Sequence, residues 1–328
     1  MNMELLSKML TAYGPSGREG RVAAVIREAL AGHVDTLETD AMGNLIAVKK
    51  GDGTGRRVMT CAHMDHIALA VTDADENGFL RVCGVGGVYP QKMVGCHVAF
   101  ENGVGGVIGA DETAKEPQEV SDLYVDIGAE SREEALERVQ PGDMCVMQPR
   151  VTQLGAHRLS SPAMDDRIAC YIQVQALLEA QSGNEIIAVF SVQEEEGVGG
   201  AGAAAYAMRP DWGIAVDVTG TGDVPKVKAA LPVKLGAGAA IKIMDRSLIC
   251  SPSVVALMER LAKENGIAHQ REVLPYGGTD AAAIQRTRGG IPCGAISIPC
   301  RYVHTAAEMV DLRDVEACVA LLKACLKA

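Results

Sequence analysis

A chain of 328 residues, 48% of them hydrophobic, is long enough to bury a sizeable core and to form two domains. Its formal charge of -11 argues against the basic stripes of a nucleic-acid surface, and no apolar run reaches the ~18 residues of a membrane span. Ten cysteines stand singly, without a Cys-x-x-Cys pair, which suits a reducing cytosol better than a disulfide framework or a thiolate zinc site.

The opening Met1-Asn2-Met3-Glu4 lacks a charged-then-apolar signal pattern, so a cytoplasmic protein is expected. Leu5, Leu6, Met9 and Leu10 recur at helical spacing until Gly14-Pro15-Ser16-Gly17 breaks the chain. Ser16 is placed to cap a second helix with Val22, Val25, Ile26 and Leu30 inward. A strand over 34–39, a turn at 40–44 and a returning strand over 45–48 make a hairpin. Val58 to Ala62 is a short buried strand that delivers His63-Met64-Asp65 at its end.

From 67 to 157 the texture changes to short β-like pieces punctuated by glycine, with one short helix over 131–139. This predicts a small β-rich domain inserted into an α/β domain made of 1–66 and 158–328. In the second half, helices are predicted over 165–178, 197–207, 252–264 with Ser251 as its cap, and 279–285, with a final one capped by Asp311. Strands are predicted over 185–192, 212–216 and 293–298. Such alternation predicts a mostly parallel sheet with helices on both faces.

The most informative stretch is Ile186 to Gly197, a β-branched run that ends in Glu194-Glu195-Glu196. Similar chemistry stands at the other strand ends: His63 and Asp65, then Asp217, then His304, with Asp165 opening a helix. Each residue alone has a blander reading as a turn acid, a helix cap or a core histidine. Together they would converge on one sheet edge, where that many carboxylates repel one another unless cations lie between them. Nitrogen and oxygen donors without sulfur suit zinc, cobalt or manganese, and paired ions are a recognised hydrolytic arrangement.

Blocks running nearly end to end carry a resemblance. They are Tyr13-Gly14-Pro15-Ser16-Gly17, Asp40-Ala41-Met42-Gly43-Asn44-Leu45, Ala62-His63-Met64-Asp65, Asp126-Ile127-Gly128-Ala129, Met164-Asp165-Asp166-Arg167, Val192-Gln193-Glu194-Glu195, Gly278-Thr279-Asp280-Ala281 and Arg301-Tyr302-Val303-His304. The chain resembles the cocatalytic metalloaminopeptidases that include tetrahedral aminopeptidases, glutamyl aminopeptidases and endoglucanase-M-like proteins. The resemblance implies two divalent ions, zinc first and cobalt or manganese as options. His63 and Asp217 would hold one, Glu195 and His304 the other, and Asp165 would bridge them. Asp65 would accept a hydrogen bond from His63, and Glu194 would be the general base. Gly278, Thr279 and Asp280 would shape the substrate pocket. The inserted domain would serve subunit contacts in a homo-oligomer, often a dodecamer, that admits short peptides.

Departures from the family pattern are His66 and Ala68 after Asp65, and Glu196 and Gly199 after Glu195. They leave the ligand set intact and bear on side-chain preference. His66 is read as a wall residue and not a third ligand. Rival readings are an N-acyl amino acid deacylase or other amidohydrolase on the same scaffold, and a metal-dependent assembly protein without turnover. A glycosidase would leave His63 and His304 without a role.

Overall fold

The computed structural model describes residues 1–113, 116–226 and 231–328. Two helices open the chain, α1 (Met3–Thr11) and α2 (Gly20–Leu30), followed by the hairpin β1 (Thr36–Thr39) and β2 (Leu45–Lys49) and by β3 (Arg57–His63). Six strands come next: β4 (Ala68–Ala74), β5 (Leu80–Val85), β6 (His97–Phe100), β7 (Gly105–Ala110), β8 (Leu123–Asp126) and β9 (Met144–Met147). The short helices α3 (Pro90–Met93) and α4 (Arg132–Arg138) lie between them. They close into a barrel in the order β4-β5-β8-β7-β6-β9. Leu69, Val71, Leu80, Val98, Phe100, Ile108 and Val125 form its own apolar core.

The chain then passes through β10 (Thr152–Leu154), β11 (Arg158–Ser160), α5 (Met164–Glu179), β12 (Glu185–Ser191), α6 (Gly199–Met208) and β13 (Trp212–Gly220). It ends with β14 (Ala239–Met244), α7 (Pro252–Glu264), β15 (His269–Val273), α8 (Ala281–Gln285), β16 (Cys293–Arg301), β17 (Met309–Asp311) and α9 (Leu312–Lys327). The main sheet runs β1-β2-β12-β3-β13-β16-β17-β11-β10, with β14 and β15 branching from β16.

The sheet is mixed, which corrects the expectation of a mostly parallel one. Only its centre, β12-β3-β13-β16, is parallel along the main path, and β14 pairs with β15 in the same sense. The flanks are antiparallel. Loop length accounts for two of the flanking pairs. A parallel neighbour needs a crossover of a dozen or more residues, and β1-β2 and β10-β11 are joined by only a few. Helices α5 and α9 pack together over β3, β13 and β16, while α6 and α8 pair over β12, β13 and β16.

Two helix caps differ from expectation. Ser16 does not cap α2; its hydroxyl donates to Asp65 Oδ2 at 2.5 Å. Ser251 does not cap α7; its Oγ accepts the Cys293 N–H at 3.1 Å. Asp311 does cap α9, accepting the Arg313 N–H at 2.9 Å.

Candidate metal centre

The parallel centre of the sheet presents the same end of each strand to one place. His63 is the last residue of β3, and Glu194 and Glu195 follow β12 through Gln193, whose φ is +56°. Asp217 lies inside β13, which runs to Gly220 and beyond the last residue paired with β3. His304 follows β16 with a φ of +58°. Left-handed backbone at non-glycine residues is costly and persists where the surroundings over-determine it, as at ligand clamps. Asp165 precedes the first regular turn of α5, since it and Asp166 have non-helical dihedrals, so the helix proper begins at Arg167.

These side chains meet. His63 Nε2 lies 3.1 Å from Asp165 Oδ1, 3.8 Å from Asp217 Oδ1 and 3.9 Å from Glu194 Oε2. His304 Nε2 lies 3.4 Å from Asp165 Oδ2 and 3.3 Å from Glu195 Oε1. Asp165 thus turns one carboxylate oxygen to each imidazole. Two sets each bring their donor atoms within 4.8 Å of one another: His63 with Asp166 and Asp217, and Asp165 with Glu195 and His304. Glu195 Oε1 is buried and makes no hydrogen bond although it stands beside His304 Nε2. A stranded oxygen next to an imidazole nitrogen is what two ligands of one cation look like. The donor set therefore fits a pair of divalent ions.

Protonation tells the same story. Burial raises the Glu194 carboxyl well above its ordinary range, with Asp217 and Asp280 adding to the rise against the opposing charge of His63. Burial, joined by the charge of Asp165, pushes Asp217 up to about 7. Burial opposes the charged form of His304, yet the carboxylates of Asp165 and Glu195 close to its ring raise it to about 12. Asp165 is lowered, because its bonds with His304 and His63 outweigh burial. Without a cation the cluster holds extra protons, and metal binding would release them.

Residues 43–321 match the M42 glutamyl aminopeptidase family. The chain belongs to that family. It is 45% identical over 97% of its length to a provisionally named aminopeptidase of Acetivibrio thermocellus, 96% of which is covered. An aminopeptidase structure from Desulfurococcus kamchatkensis superposes with a TM-score of 0.95 at 36% identity, covering 99% of this chain and 94% of that one. A TET1 peptidase structure from Pyrococcus horikoshii, described as assembling into a tetrahedron or a large octahedral shell, superposes at 0.87 with 34% identity and 99% of both chains covered. This M42 chain is therefore a metalloaminopeptidase, a hydrolase of peptide bonds.

In the M42 chain the site opens into a cavity of about 800 Å³. His63, Asp165, Glu194, Glu195, Asp217 and His304 line it, with Tyr89 and Lys92 from the barrel segment and Tyr276 and Tyr302 from the segments around β15 and β16. Of the three expected pocket residues only Gly278 is on the wall. Thr279 and Asp280 are buried behind it, which corrects that expectation. Asp280 Oδ2 accepts hydrogen bonds from the Ser191 hydroxyl and from Cys61 Sγ, so it braces β12 and β3 from beneath. Thr279 lies against Asp217. His66 stands outside both donor sets; its Nδ1 bonds the Ile67 carbonyl at 2.9 Å, and burial and the Arg167 charge lower it to about 3.

Asp65 also differs in detail. His63 Nδ1 is closer to its main-chain oxygen, at 3.1 Å, than to its carboxylate, at 3.5 Å. The carboxylate instead accepts the N–H groups of Glu194 and Glu195 at 3.0 and 3.2 Å. One functional residue went unnoticed in the sequence. Glu308 is buried, and its two oxygens accept the His304 N–H at 2.7 Å and the Asp165 N–H at 3.0 Å. It clamps the backbone of two ligand candidates; its only sequence signal is an acid four residues after His304. Asp166 was read only as part of a block. It is fully buried, accepts the His63 N–H at 3.3 Å, and is not on the cavity wall.

Proposed function

We propose that the chain cleaves N-terminal residues from short peptides at a two-ion centre. His63 and Asp217 hold one divalent ion, Glu195 and His304 the second, and Asp165 bridges them; zinc is the first choice, with cobalt or manganese as options. The observation that carries this reading is the split of the Asp165 carboxylate between the two imidazoles, at 3.1 and 3.4 Å. Bound ions would polarise the scissile carbonyl and lower the pKa of a water.

The protein's own part is proton handling and positioning. Glu194 Oε2 faces the cavity beside His63 and takes the proton of the attacking water, then returns it to the leaving amine. Asp65 fixes the Glu194 and Glu195 backbone, and Glu308 fixes that of His304 and Asp165. The free α-amine of a peptide would sit against the acidic wall, and Gly278 leaves room beside it.

Residues 1–66 and 158–328 form the catalytic domain in this reading, and 67–157 an inserted oligomerisation domain. The assembly of the TET1 relative supports a homo-oligomer, with a dodecamer as its specific form. All ten cysteines are free, which supports a cytoplasmic setting. Among the described residues no helix is long and apolar enough to cross a membrane.

The test is a panel of free-amine aminoacyl chromogenic substrates and their N-acetylated forms, assayed on metal-free protein reloaded with each ion. Turnover of free-amine substrates alone is the expected result. Preference for the acylated forms would replace this reading with a deacylase, and no turnover with any ion would replace it with an assembly role.

A further inference from the structure

The barrel reaches the metal centre through the turn Gly86–Gly87, which lies between β5 and α3. The Gly87 carbonyl stands 2.8 Å from His304 Nδ1. A carbonyl can only accept, so Nδ1 carries the proton, and Nε2 of the neutral ring is left free to face Asp165 and Glu195. The Gly86 N–H donates to Glu196 Oε1 at 2.5 Å, one residue beyond Glu195.

The turn is also tight against the same two ligands. A Cβ on Gly87 would fall 2.8 Å from His304 Nδ1 and 2.9 Å from its Cε1. A Cβ on Gly86, whose φ is +75°, would fall 3.0 Å from Glu195 Cβ. The other ligand pair is held from within the sheet domain. His63 is fixed by Asp65 and Asp166, and Thr279 lies against Asp217.

We infer that the Gly86–Gly87 turn is a positioning element for one of the two ions. Gly87 fixes the tautomer of His304, and Glu196 ties the turn to the segment that carries Glu195. The ion at Glu195–His304 therefore depends on the barrel, while the ion at His63–Asp217 does not. The inference rests on the two-ion reading above.

Hydrogen bonds to the far nitrogen of a ligating imidazole change metal affinity by about 10–100-fold. The experiment is calorimetric titration of metal-free, full-length protein with Co²⁺, followed in parallel by the cobalt absorption bands. Wild type takes up two ions. Gly87→Ala, at a backbone conformation open to alanine, weakens one step by about 10–100-fold, alters the bands of that step and leaves the other step in place. Gly105→Ala, in the barrel but with 3.8 Å to its nearest neighbour, keeps both steps. Glu196→Ala weakens the same step, and Glu196→Gln, which retains an accepting oxygen, restores it.

Unchanged binding in both Gly87→Ala and Glu196→Ala, or equal weakening of both steps, overturns the inference. Should Gly87→Ala not fold, the Glu196 pair decides alone. A wild type that binds fewer than two ions refutes the two-ion reading itself, an outcome distinct from the others.

Discussion

Replacing Glu194 by Gln removes a proton acceptor while keeping the size and most of the polarity of the side chain. Glu194 belongs to neither donor set, so the ions should stay. Its Oε2 lies 3.9 Å from His63 Nε2 at the cavity wall, and its side chain is only 13% exposed, so bulk water is poorly placed to substitute as base. A positioned general base contributes about 10²–10⁴-fold, which at about 1.36 kcal/mol per decade is roughly 3–5 kcal/mol of barrier. Glu194→Gln should therefore lower kcat by about that factor and change KM only a few-fold. Steady-state kinetics on an aminoacyl p-nitroanilide, paired with metal analysis of the same sample, checks it. A variant with two ions and kcat within tenfold of wild type would show that Glu194 is not the base.

Asp65→Asn should lower kcat by about 10–100-fold, because the amide NH₂ would oppose one of the N–H donors of Glu194 and Glu195; unchanged kcat in the folded variant would argue against a role in aligning those residues. Arg167 is fully buried and donates to the carbonyls of Met9, Ala12 and Gly14 at 2.9–3.0 Å. Arg167→Met strands those acceptors and should cost about 3–5 kcal/mol, read as a shifted urea midpoint. The metal-free protein should lose stability as pH rises from 4 to 7. Asp217, raised from 3.8 to about 7, holds more proton folded than unfolded across that window. The folded state is thus favoured at the acid end, and the contribution falls as pH climbs through the folded value. The upward shifts of Glu194 and Glu195 act in the same sense. Melting temperatures that rise over this range without metal would contradict the assignment, and added Zn²⁺ should cancel or reverse the fall.

How much of this was legible in the sequence depended on which atoms do the work. The central strands β3, β12, β13 and β16 read as short apolar runs because both faces are covered, and their polar ends stood out against them. Strands β14 and β15 were invisible, since Lys242 and Glu272 interrupt the apolar pattern. These two are buried nonetheless, paired with each other at 2.6 Å, so charge there is satisfied internally and not by water. The three-residue strands β10, β11 and β17 carry too few residues for any period to emerge.

The same distinction holds at the site. The proposed metal ligands are imidazoles and carboxylates, so His63, Asp165, Glu195, Asp217 and His304 stand out by type. Their supports need not. Gly87 acts through a carbonyl that every residue possesses, and Glu308 acts on backbone N–H groups that every residue but proline possesses. Thr279 and Asp280 illustrate the converse: a motif placed them beside the cavity, and only their burial reveals that they brace the sheet behind it. A site of this kind is therefore half written in side-chain identity and half in the conformation of main chain. In our inference, the second half is where the barrel, whose strands lie between β3 and β10 in the chain, would act on an ion that it does not itself ligate.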